Sequence, residues 1–304
     1  MSTPFLPISS PIASPVASPV ASDSSPAAEA PAYPLAQWRL LVDHEPRTGA
    51  WNMALDEAIM DAVANGDAPP TLRFYQWEPP ALSLGKRQPL EGIDLARCAA
   101  DGVDVVRRAT GGWAILHTDE FTYSVACRGD DPRVAGPILD AYRALSQGLI
   151  VGLGRLGVAA TMRAARPEGT HNLSAACFEV PSAYEVTVGE RKLIGSAQAR
   201  MGARILQHGS LPLRGEIARV VDYLTFADEQ ARATLAARLR SHAITLGEAL
   251  GHSVSFEEVV PAMARGFGAA LTLDLIPGAP TPAELAAAEA KLDEKRVAQP
   301  TTVV

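Results

Sequence analysis

Val105-Val106-Arg107-Arg108-Ala109-Thr110-Gly111-Gly112-Trp113-Ala114-Ile115-Leu116-His117 sets two arginines and a Gly-Gly turn between two apolar, strand-like runs. Glycines in such a turn let the backbone approach a ligand closely, and the arginines supply fixed positive charge. A second stretch, Arg191-Lys192-Leu193-Ile194-Gly195-Ser196-Ala197-Gln198, sets one lysine before a strand of small residues. Neither segment decides the fold alone; the elements around them do.

Working outward, Gln37 to Val42 reads as a strand, and Gly49 opens a helical pattern that Gly66 ends. Thr71 to Trp77 and Ala81 to Leu84 are strand-like, joined by the turn residues Glu78-Pro79-Pro80. Gly92 to Asp101 predicts a short helix, Val103 to Arg107 and Trp113 to His117 two strands joined through Thr110-Gly111-Gly112, and Phe121 to Cys127 another strand. Pro137 to Leu156 carries apolar residues at helical spacing. Residues 163–174 are polar and irregular and read as a loop. Tyr184 to Val188, Arg191 to Met201 and Arg204 to Leu213 predict three antiparallel strands with short hairpin connections. Helices are expected over about 228–250, 255–270 and 282–296. Strands first and helices last predict an α+β fold, a mixed or antiparallel sheet packed with helices. Without regular βαβ alternation or a GxGxxG motif, a dinucleotide-binding domain is disfavoured.

Composition narrows the function. Of the 304 residues, 47% are hydrophobic, ordinary for a globular protein, and no run of about 18 apolar residues predicts a membrane span. The net charge of −7 argues against nucleic acid as a partner, although Lys86, Arg87, Arg107 and Arg108 could form a local basic patch. Residues 1–36 are rich in Pro, Ala and Ser, repeat Ser-Pro every four residues from Ser10, and are expected to be disordered; they lack the features of a signal peptide. Cys98, Cys127 and Cys177 are widely spaced, which predicts neither disulfides nor a metal site and fits a reducing cytoplasm.

In order and content these features resemble the lipoate-protein ligase A and biotin–lipoate ligase family. There an RRxxGGGxVxH-type segment forms the floor of an acyl pocket, matched here by Arg107 to His117, with Trp113 standing where the third glycine would be. A KxxGxA-type strand carries a lysine near the acyl carbonyl, matched by Lys192-Leu193-Ile194-Gly195-Ser196-Ala197. The stretch Ala176-Cys177-Phe178-Glu179-Val180-Pro181-Ser182-Ala183-Tyr184-Glu185 is similar to the cysteine loop of the LipM-type octanoyltransferases, in which the matching cysteine is the nucleophile. Ile194 to Arg200, Ile205 to Leu211, Ser255 to Val259 and Thr281 to Leu285 are also close to that subgroup, so the resemblance covers about residues 37–295.

The resemblance implies a catalytic domain like those of class II aminoacyl-tRNA synthetases and biotin synthetase over 37–250, with a helical extension over 251–304 packed on it. It implies Cys177 and Lys192 as catalytic residues. Arg107, Arg108, Gly111, Gly112, Trp113, His117, Gly195, Ser196 and Ala197 would be the substrate-binding set. Octanoyl would pass from octanoyl-acyl carrier protein to the Cys177 thiol, then to a lysine of a lipoyl domain (the glycine cleavage H protein or a 2-oxoacid dehydrogenase E2), with no cofactor, ATP or metal.

Blander readings stand beside these. A free cysteine is usually a small buried hydrophobe, and a strand lysine usually a solvated edge charge. Arg107 and Arg108 are either strand-end charges or contacts to the carrier's phosphopantetheine phosphate or acidic surface. Trp77, Leu84 and Trp113 either line an apolar tunnel or fill the core, and His117 and His208 either bond in the pocket or are structural. Competing functions are an ATP-dependent lipoate-protein ligase, an amidotransferase moving octanoyl from H protein to E2, and a non-catalytic carrier-binding module.

Overall fold

A computed structural model of the chain describes Met1, residues 33–164 and residues 184–298. The order of elements is β1 (Ala36–Val42), α1 (Gly49–Asn65), β2 (Thr71–Tyr75), β3 (Ala81–Leu84), α2 (Leu95–Ala100), β4 (Asp104–Arg107), β5 (Ile115–His117), β6 (Glu120–Arg128) and α3 (Ile138–Arg155). There follow β7 (Thr161–Ala164), β8 (Tyr184–Val188), β9 (Arg191–Met201), β10 (Arg204–Pro212), α4 (Glu229–His242), α5 (Leu246–Leu250), α6 (Phe256–Leu271), β11 (Leu273–Pro277) and α7 (Pro282–Lys295). Eight strands form one sheet in the order β11-β1-β2-β6-β10-β9-β8-β7, and β4-β3-β5 form a second, smaller one. The pairs β11–β1 and β1–β2 are parallel and the others in the large sheet antiparallel, so the fold is α+β with a mixed sheet.

Alternation along β6 sets the two layers. Phe121, Tyr123, Val125 and Cys127 join one core with Leu145, Leu149 and Leu153 of α3 and Met263 and Phe267 of α6. Ala126 joins another with Leu55 and Ile59 of α1 and Ala288 of α7, and the Ser124 hydroxyl donates to Asp56 of α1 at 2.8 Å. This two-residue period is what a strand buried on both faces between helices requires. Helices α3 and α6 cross in very close contact: a Cβ built on Gly266 would lie 2.4 Å from the Gly148 carbonyl oxygen, closer than any side chain tolerates.

Several expectations need correction. Strand β5 starts at Ile115 where Trp113 was expected, and β3 lies between it and β4, parallel to β4 and antiparallel to β5. Residues 161–164 form strand β7, so the expected loop cannot start at 163, and its remainder lies outside the described residues. The single helix expected over 228–250 is two helices, because Ala243–Thr245 leaves the helical path and Thr245 starts a new capping box with Glu248. Strand β11 falls inside the region expected to be helical, and it extends the main sheet through β1. Helix α6 lies in the same core as α3. The Pro/Ala/Ser segment lies outside the described residues up to position 32. Among the described residues no helix is long and apolar enough to cross a membrane.

Candidate active site

The small residues of β9 and β10 make a trough. In register, Ala197 pairs with His208, Ser196 with Gly209 and Gly195 with Ser210, so little side-chain volume stands over this part of the sheet. A cavity of about 350 Å³ opens there, within the range of roughly 300–1,000 Å³ usual for small-molecule sites. Trp77, Tyr75 and Met53 line it on one side, and Ile138, Leu139 and Tyr142 of α3 on another. Gly111, Gly112 and Trp113 close it above the small sheet. Ile138 and Leu139 are among the few large apolar side chains left exposed, as expected at an apolar mouth.

Lys192 sits in this wall. It lies on β9, between β8 and β10, and is 4% exposed, so it is neither an edge residue nor solvated. Its ammonium meets Glu185 Oε1 of the neighbouring strand at 2.8 Å. A bulge between Val186 and Thr187 shifts the β8–β9 register beside this pair. The cavity thus presents a buried ammonium to an otherwise largely apolar and small-residue lining. Such a site suits an alkyl chain ending in a carbonyl that the cation can polarise.

The remaining polar groups of the wall are committed to one another. His117 stacks on Trp77 with ring centres 3.9 Å apart, and its ring nitrogens lie 2.7 Å from Ser83 Oγ and 2.7 Å from Glu120 Oε1. Burial works against charge on Glu120, yet His117, Ser210 and Thr122 together hold its carboxyl below the usual range. His208 Nε2 lies 2.7 Å from Thr110 Oγ1, and Nδ1 lies 3.5 Å from Asp56 Oδ2. Burial pushes the His208 ring below its ordinary value against the opposing pull of Asp56. A neutral ring, donating toward Asp56 and accepting from Thr110, satisfies both contacts. These groups make a rigid polar wall.

The two arginines serve the turn. Arg108 is 2% exposed and donates to the carbonyls of Ser83, Gly111 and Trp113. Arg107 donates to the carbonyls of Gly85 and Gln88, at 2.8 Å each, and does not line the cavity. Together they clamp Gly85–Gln88 against Gly111–Trp113. The clamp requires glycine at 85, since a Cβ there would lie 2.0 Å from the Gly112 carbonyl oxygen. Gly85→Ala should cost about 1–3 kcal/mol, the usual penalty for overpacking, read as a lower thermal midpoint.

Gly111, Gly112, Trp113, His117, Gly195, Ser196, Ala197, Arg108 and Lys192 therefore converge on one cavity. Cys177 lies outside the described residues. The other two cysteines are buried, and burial pushes the Cys98 thiol up to about 12 and that of Cys127 higher still. Neither lines the cavity.

Against this geometry, the model of the lipoyl protein ligase A/B catalytic domain matches residues 48–268. The chain belongs to that family. Octanoyltransferase LipM of Symbiobacterium thermophilum is 43% identical over 266 residues, 85% of this chain and 95% of that protein. Octanoyltransferase LipM of Kyrpidia tusciae is 43% identical over 258 residues, 83% of this chain and 93% of its own length. Among solved structures, the bipartite lipoate protein ligase of Thermoplasma acidophilum superposes with a TM-score of 0.69 at 26% identity, covering 85% of this chain and 92% of its own. A lipoate-protein ligase A bound with ATP gives 0.68 at 25% identity, covering 85% and 95%. The architecture is the lipoyl ligase catalytic fold, and the family match runs through residue 250 without a break.

Trp77 lines the cavity, whereas Leu84 is wholly buried in the core beneath the small sheet. Sequence reasoning missed Glu185, whose partner across the β8–β9 hairpin is seven positions on, and the α3 residues Ile138, Leu139 and Tyr142. In sequence Ile138 and Leu139 are two apolar positions of a helical pattern; their exposure at the cavity follows from where α3 sits, against α6, β7 and β8.

Proposed function

We propose that this chain is an octanoyl-[acyl carrier protein]:protein N-octanoyltransferase acting through a Cys177 thioester. The observation that carries the reading is the buried Lys192 ammonium on a 350 Å³ apolar cavity, in a chain 43% identical to octanoyltransferases over most of its length. Cys177 stands eight positions before Glu185, whose carboxylate meets Lys192, a reach of at most roughly 26–29 Å.

The Cys177 thiolate attacks the carbonyl of octanoyl-acyl carrier protein. A new carbon–sulfur bond forms, the bond to the carrier sulfur breaks, and the carrier leaves as its thiol after taking a proton. The octanoyl-enzyme is still a thioester, so the step costs little. The deprotonated ε-amine of a lipoyl-domain lysine then attacks, the nitrogen gives up a proton to solvent as the amide forms, and the carbon–sulfur bond breaks with Cys177 departing as thiolate. Lys192 stabilises the developing oxyanion and the thiolate. Because the donor is already activated, the balance needs no ATP. A reducing cytoplasm keeps the thiol free.

The solved ligases among the structural relatives favour a second reading, activation of a free acid by ATP. One assay separates the two. With octanoyl-acyl carrier protein and a lipoyl domain but no ATP, the domain should gain one octanoyl group by mass. Modification only with free octanoate and ATP would make the chain a ligase instead.

A further inference from the structure

A second concavity, about 520 Å³, lies on the other side of the Gly111–Trp113 turn. It shares Gly111, Gly112, Trp113 and Gln198 with the acyl cavity, so the two spaces meet at that turn. Lys86, Arg87 and Arg200 line it. Lys86 and Arg87 are exposed, and the Lys86 ammonium has only the Met201 sulfur, at 3.6 Å, as a described partner. Arg200 donates to the Gln198 side-chain oxygen and to the carbonyls of Val134 and Gly136, neutral acceptors that leave its charge uncompensated. Arg107 behind the loop likewise donates only to carbonyls. None of these four cations forms an ion pair among the described residues.

Several exposed arginines elsewhere are neutralised: Arg97 by Asp101, Arg128 by Asp130, Arg204 by Asp61, Arg214 by Asp119, Arg240 by Glu216. The chain as a whole carries −7, so four clustered cations without a carboxylate partner among the described residues form a local basic patch against an acidic background. The Lys86–Arg87 loop is also held in place: Lys86 N–H donates to the Thr110 carbonyl at 2.8 Å, and Arg107 ties down the carbonyls on either side. Fixed, unpaired cations at a preformed groove are what recognition of a phosphate requires.

We infer that this groove binds the phosphodiester of the donor carrier's prosthetic arm, and that the arm runs past Gly112 and Gln198 to deliver its thioester to the acyl cavity. The inference rests on the octanoyltransferase reading, because it needs a carrier-linked donor. The acceptor is the poorer occupant, since its approaching group is itself an amine that these cations would repel.

Two measurements test it. In transfer assays, K86E/R87E should raise KM for octanoyl-acyl carrier protein at least tenfold, whereas KM for octanoyl-pantetheine, the same thioester without phosphate, should change less than twofold. Arg265→Glu, on the exposed face of α6, should leave both unchanged and so exclude a general charge effect. Equal changes with both donors, or none with either, would overturn the inference. Binding tests it apart from chemistry: the wild-type chain should bind holo-carrier at least fivefold more tightly than carrier lacking the arm, and K86E/R87E should erase that difference. A wild-type ratio of one would overturn it. Failure of the wild-type chain to transfer octanoyl from either donor, with the binding difference intact, would count against the octanoyltransferase reading and not against the groove.

Discussion

Cys177→Ala should lower octanoyl transfer by on the order of 10³-fold or more, the scale seen when a covalent nucleophile is removed. The octanoyl-enzyme detected by intact mass should vanish with it. No other thiol can take over. A thiol with its pKa at about 12 is ionised to about one part in 10⁵ at neutral pH, and Cys98 stands there. Cys127 is pushed still higher, in the core formed with α3 and α6. The other nucleophilic groups on the cavity wall are engaged: the hydroxyl of Ser196 is paired with Tyr123 at 2.8 Å and that of Ser210 with Glu120 at 2.6 Å. Full retention of transfer by Cys177→Ala, with ATP and free octanoate required, would overturn the thioester route. The residual rate carries information too. Whatever remains above the uncatalysed reaction reports what Lys192 and the cavity contribute by binding and polarisation alone.

The strands that carry the site were legible because their chemistry is local. Small residues at 195–197, a Gly-Glu turn and a Gly-Ala turn announce β8, β9 and β10, and the structure has all three within a residue or so. The Gly111–Gly112 turn was equally visible. What could not be read was the fate of each charge. Arg107 and Arg108 look like ligand-binding arginines in sequence, but most of their described donors go to backbone carbonyls of two turns that are distant in the chain. Lys192 looks like an edge residue until β8 is known to cover it. Strand β11 was missed because five residues directly after a long helix carry little periodicity; its parallel pairing with β1, some 237 positions earlier, is what makes it a strand. The break between α4 and α5 was the opposite case. Its signal, Thr245 three residues before Glu248, was present in the sequence and is the capping box that the structure forms.

Asp56→Ala should destabilise the protein by about 3–5 kcal/mol, the usual cost of stranding a buried charge. Asp56 is 1% exposed and gathers four groups around its carboxylate. Arg73 meets Oδ1 at 2.7 Å, Ser124 donates to Oδ1 at 2.8 Å, Tyr75 donates to Oδ2 at 2.9 Å, and His208 stands 3.5 Å away. Without the carboxylate, the wholly buried Arg73 keeps Asp43 at 2.6 Å and Asn52 at 2.8 Å but loses half its countercharge, while two hydroxyls lose their acceptor. For a folded unit of this size the thermal midpoint should fall by roughly 6–20 °C. A fall under 2 °C would mean that the cluster is replaceable by packing. The pH dependence separates its members. Burial opposes charge on Asp56, but His208, Arg73 and Ser124 hold its carboxyl below the usual value, so its contribution is complete above about pH 3.9 and fades as pH falls through the folded value. His208 behaves differently, because burial lowers its folded value below about 6.5. As pH falls below about 6.5 the unfolded chain takes up a proton that the folded ring refuses, and stability declines. Stability lost between pH 7 and pH 5 is therefore assigned in part to His208. His208→Gln should flatten that limb of the thermal-midpoint profile, whereas Asp56→Ala should lower the profile at every pH above about 4.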